Sequence, residues 1–232
     1  MIKIKINSSR LGNVHEVISM LNDLNNAYNN LYLFNLIIDS LQQRNNDLQR
    51  LDEALYPHYR DWHDKLPPNI QRDMPEYYFF GIHRAKSELL HSENFNKYLN
   101  SLDPEKLVYP KDILRITKIN IQSPGWWEVF GKLNPLEQIR EYLKDRHERI
   151  KDNKYRSRQE EEIKDLEILE KENGIIAQRI ELLKKMGYTE LEIRPIVLPR
   201  VIEPLRQLGE HQYKGLIGDA ETVKSAVDHL FR

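Results

Sequence analysis

The residues best equipped for chemistry lie between Tyr56 and Asp64, where His58, Arg60, Asp61, His63 and Asp64 crowd together. Two imidazoles and two carboxylates this close supply metal ligands or a general acid and base. Their spacing limits that chemistry. On a helix His58 and His63 stand about 140° apart, whereas ligands sharing a face come three or four residues apart. Capping and surface hydrogen bonding suit the cluster better. A metal-dependent enzyme near His58, Asp61 and His63, with His83 close by, is an alternative reading only. His83 and His91 share a helix face, yet two turns hold them about 12 Å apart, too far to grip one ion. No G-x-G-x-x-G, G-x-x-x-x-G-K-[ST], G-x-S-x-G or H-E-x-x-H sequence occurs. Ser8 and Ser123 have no neighbouring base and suit backbone hydrogen bonding at turns. No catalytic residue, metal ligand or cofactor is assigned.

Trp126, Trp127 and Phe130 are the other conspicuous group. Adjacent tryptophans on a helix point to different sides, so both cannot sit equally deep in one small core. One of them is then a candidate anchor for a protein interface. As an alternative, Trp126, Trp127 and Phe130 form a peripheral membrane-binding module that dips into a lipid surface. Against it, Lys132, Arg140 and Lys144 are offset by Glu128, Glu137 and Glu141. The basic run Arg140, Lys144, Arg146, Arg149, Lys151, Lys154, Arg156 and Arg158 is interleaved with acids and has only Tyr142 and Tyr155 for stacking. Nucleic acid is therefore not an expected partner.

The elements that must position these groups follow from periodicity. Ile2, Ile4 and Ile6 alternate with Lys3, Lys5 and Asn7, which predicts a half-buried strand over 2–7. A second strand is expected over 113–121, with Thr117, Ile119 and Ile121 on one face. Glu16–Leu31 and Glu128–Leu143 align without a gap and agree at 6 of 16 positions, suggesting a duplicated strand–turn–helix unit. Leu31–Leu41 is apolar on nearly every side and is expected to be the most buried helix. Pro57, Pro67, Pro68 and Pro75 predict short helices and turns over 55–80. Asn134-Pro135-Leu136-Glu137 reads as a helix start, Asn173-Gly174 as a break, and Thr189 with Glu192 as a capping box. Between Glu141 and Glu172, 20 of 32 residues are charged, so a long charged helix or a helical hairpin is expected over 134–186. Its seam runs through Ile163, Leu166, Leu169, Ile176, Ile180 and Leu183.

With 232 residues the chain can bury a substantial core, and its formal charge of −1 gives no field toward nucleic acid or anionic lipid. It has no cysteine, which removes disulfides and thiolate chemistry and fits a cytoplasmic protein. No signal-peptide core and no transmembrane stretch is apparent. The expected fold is α+β, mainly α-helical. A globular domain with a small sheet spans 1–133, a coiled-coil-like helical region 134–208, and a tail with one short helix from Ala220 spans 209–232. The expected function is non-enzymatic, that of a scaffold or adaptor. It would bind a protein partner, or self-associate as a homo-oligomer, through the long amphipathic helix, with Trp126, Trp127, Phe130, Leu166, Leu169, Ile176, Ile180 and Leu183 as the expected interface residues.

Overall fold

The structure, a computed structural model, describes residues 1–10, 12–63, 101–122, 124–152 and 173–223, with the backbone alone for 48–49, 51–63 and 149–152. The N-terminal alternation becomes strand β1 (Ile2–Ser8), in which Ile4 and Ile6 are buried. Three further strands join it: β2 (Arg115–Asn120), β3 (Gly125–Gly131) and β4 (Ala220–Thr222). They form one sheet in the order β2-β3-β1-β4, and every neighbouring pair is antiparallel. The helices fall between β1 and β2 and between β3 and β4, which is the split β-α-β-β-α-β arrangement.

Helix α1 (Val14–His63) and the short α2 (Pro104–Leu107) precede β2. After β3 come α3 (Leu133–Asp152), α4 (Gly174–Lys185) and α5 (Glu190–Val197). A π-helical turn (Leu198–Ile202) then leads into α6 (Glu203–Tyr213). The protein is thus mixed α+β and mainly helical, with a small antiparallel sheet and a long helix. The core beneath the sheet collects Ile4, Ile6, Val129, Leu24, Tyr28, Leu31, Phe34, Leu136, Ile139 and Leu143. Each such side chain contributes about 1.5–3 kcal/mol by leaving water.

The chain divides into two compact units, 1–36 with 103–232, and 37–102. In the second, Ile37, Ile38 and Leu41 are buried. All four strands and α3–α6 belong to the first unit.

Several expectations are corrected. The segment Glu16–Leu31 lies wholly in α1, whereas Glu128–Leu143 begins in β3 and enters α3 at Leu133. In this alignment the echo is one of residue types, and the expected duplication is not shown among the described residues. The Trp126–Phe130 segment is a strand because aromatic and β-branched residues bounded by Gly125 and Gly131 favour a pleated surface, and β1 offers the matching partner. Within the tail, Ala220 starts β4 instead of a helix, since Ala220 pairs with Ile6; residues 224–232 lie outside the described part. α1 continues through Pro57 to His63, because one proline removes a single helix hydrogen bond without ending a long helix.

The 134–186 region is not one straight helix. Asn173 caps α4 by accepting a hydrogen bond from the Ile176 amide (3.1 Å), and its Nδ2 donates to the Gln138 carbonyl at 2.9 Å. An unbroken helix would hold residues 138 and 173 about 52 Å apart. By Asn173 the chain has therefore doubled back along α3.

Candidate functional site

Residues Arg115–Asn120 occupy an edge of the sheet, and β2 is set apart by how little of it is buried: five of its six side chains are exposed. The register shifts between Ile116, opposite Val129, and Lys118, opposite Glu128. Thr117 is the extra residue of this β-bulge, and its Oγ1 donates to the Glu128 carbonyl at 3.3 Å. In a regular strand Ile116 and Ile119, three apart, would point to opposite faces. The bulge puts both on the inner face, opposite buried Val129 and Trp127. Thr117 and Ile119 therefore do not share the face expected of them.

The inner face is closed over β1 and β3 but open over β2. Ile116 is 44% and Ile119 50% exposed, and the flanking Ile113 and Ile121 are 46% and 69% exposed. Tyr109, also exposed, leads into this strip. Arg115 and Lys118 stand on the other face, opposite Phe130 and Glu128. The hairpin turns tightly after Asn120, whose Oδ1 accepts from the Gln122 amide at 3.0 Å. A Cβ on Gly125 would lie 2.7 Å from the carbonyl oxygens of Asn120 and Gln122, so glycine is required there.

Of the three aromatic residues expected at an interface, two lie on the sheet's outer face. Trp126 and Phe130 are partly exposed there, while Trp127 is turned inward and buried. The alternation of a strand separates the tryptophans, as expected of the pair, though not on a helix. Lys5 sits 5.6 Å from the centre of the Trp126 ring and 3.2 Å from Glu221. Lys3 lies 3.7 Å from the buried Glu128 carboxylate. These pairings leave Arg115 and Lys118 as the outward cations at the β2 edge.

The other expected interface residues are placed differently. Ile176, Ile180 and Leu183 are 0%, 1% and 0% exposed on α4, so none presents surface in this conformation. Leu166 and Leu169 lie outside the described residues, as do His83 and His91. His58, Asp61 and His63 lie on α1, where the five-residue spacing of the histidines holds on a real helix. Among the described residues no cluster of three metal-ligating side chains occurs, and no helix is long and apolar enough to cross a membrane.

Two polar groups escaped notice in the sequence. Tyr28 donates to the Asp112 carbonyl and accepts from the Lys132 amide (2.8 Å), while Tyr32 donates to Asp112 Oδ2 at 2.9 Å. Burial first, then the Asp112 carboxylate, pushes the Tyr32 phenol up to about 12. His211 Nε2 lies 2.6 Å from Asp23 Oδ2 on the α1–α6 contact. The crevice between the β1–α1 turn and the β2–β3 hairpin, lined in part by Ser8, Arg10, Val17 and Ile121, holds about 30 Å³, the space of about one water molecule. Near it, Arg10 donates to both Glu16 oxygens (2.7 and 3.2 Å) and holds that carboxyl down at about 2, with help from the Asn13 amide. This is an ion pair locking a turn.

No protein family, curated protein or solved structure matches this chain.

Proposed function

We propose that this protein is a non-enzymatic adaptor or scaffold that docks to another protein or to a second copy of itself. The observation that supports the reading is the strip of exposed isoleucines on β2, an edge strand with no neighbour on its outer side among the described residues. Exposed apolar side chains beside unpaired strand backbone favour association through strand addition. Docking through the long helix is less favoured, because Ile176, Ile180 and Leu183 are already buried. Membrane docking through Trp126, Trp127 and Phe130 is less favoured for the same kind of reason: Trp127 is buried and Trp126 lies under Lys5. A cytoplasmic location belongs to the same proposal, rests on the lack of cysteine, and is checked by cell fractionation. Affinity purification from the native cell with mass spectrometry, together with light scattering, tests the function. A stoichiometric companion, or a mass above 27.8 kDa, is expected. A lone monomer without companion ends the proposal.

A further inference from the structure

We infer that β2 pairs edge to edge with β2 of a second copy of this chain, antiparallel about a two-fold axis, making one continuous eight-stranded sheet. The inference rests on the protein-binding reading above and names its partner.

Three observations favour a second copy over a foreign peptide. The first is self-complementarity. A two-fold axis between Thr117 and Lys118 sets Ile116 of each copy against Ile119 of the other, on the inner face where the bulge has gathered both. The same register places Arg115 opposite Asn120 and Lys118 opposite Thr117, so no two cations stand directly opposed, the arrangement that destabilises cross-strand pairs. The second is continuity. Ile116 and Ile119 are in register with buried Val129 and Trp127, so pairing extends an apolar row that already crosses the sheet. The third is closure. The opposite edge, β4, has three residues, too short to receive β2 of another copy along its length. A β2–β2 contact uses the same patch on both copies and ends at two. The bulge and Lys118 are devices that restrain indiscriminate edge pairing, which suits a specific dimer and opposes fibres. Six residues a side bury less than a standard interface, so the dimer is weak, with a Kd of about 1–100 µM.

Light scattering across that concentration range tests it. Wild type is expected to move from 27.8 kDa toward twice that mass, and Ile116→Asp/Ile119→Asp to stay monomeric with an unchanged far-ultraviolet circular dichroism spectrum. Because the chain lacks cysteine, Arg115→Cys accepts a single spin label. Five residues of rise and one strand spacing put the two Arg115 Cα atoms about 18 Å apart in the dimer, and a dipolar distance near that value is expected even if the aspartate variant misfolds. Monomeric wild type throughout the range, a dimer indifferent to the aspartates, or labels far beyond the expected distance each overturn the inference. A monomer that still captures a foreign protein overturns it while leaving the adaptor reading intact. A monomer that captures nothing overturns both.

Discussion

The hydroxyls of Tyr28 and Tyr32 converge on Asp112, and that convergence joins α1 to the segment entering β2. Tyr32→Phe would leave a buried carboxylate short of one donor, at a cost of about 1–3 kcal/mol, read as a lower urea midpoint. The same group predicts a pH dependence. Folding holds the Tyr32 phenol neutral up to about 12, above its ordinary value near 10. Its contribution is therefore complete below about pH 10 and fades as pH rises through 12. Urea titrations in that window should show stability falling in wild type, with a shallower fall in Tyr32→Phe. An equal slope in both would refute the assignment. Gly131 makes a second residue-level case, since a Cβ there would lie 2.9 Å from the Tyr28 ring. Gly131→Ala is expected to cost about 1–3 kcal/mol by overpacking, measured by the same denaturation.

Among the elements, α4 depends on a single amide that performs two tasks. Asn173 caps the helix and ties it to Gln138, which in turn accepts from Asn35 of α1 at 3.0 Å. Asn173→Ala should cost about 2 kcal/mol, through the lost cap and an orphaned carbonyl. A thermal midpoint within error of wild type would show the link to be idle. This element was legible in the sequence, because Asn-Gly and the Thr189–Glu192 pair act through neighbours three residues away. The Glu192 carboxylate does accept from the Thr189 amide, at 2.6 Å. β1 was legible for the same reason: its alternation is local. β3 and β4 were not, because their strand character is decided by Ile4 and Ile6, more than a hundred residues distant. The exposed β2 strip was half legible. Its isoleucines are plain in the sequence, but only the bulge at Thr117, set by pairing with β3, puts Ile116 and Ile119 on one side. The seam through Ile176, Ile180 and Leu183 was readable as apolar. Whether it met a partner or the chain itself depended on the return of α4 along α3, which periodicity does not encode.

At the scale of the molecule the sheet is closed by residues far apart in sequence. Ile4 pairs with Val129 on one side and with Thr222 on the other. Ala220, buried opposite Ile6, is where this closure is most easily tested. Ala220→Asp puts a carboxylate into an apolar site at a cost of about 2–4 kcal/mol and should detach β4. Amide hydrogen exchange would then show faster exchange in β1 as well as β4; protection unchanged in β1 would argue against the coupling. The pairing of Ile4 with Thr222 also bears on how the protein is made in a cell. A ribosome adds about 5–20 residues per second, so the first strand waits on the order of 10–40 s before its last neighbour is even synthesised. Before β3 emerges, on the order of 6–25 s after β1, an isoleucine-rich segment has nothing native to pair with, and a holding chaperone is expected to bind the nascent chain there; after that only the edge that receives β4 stays open.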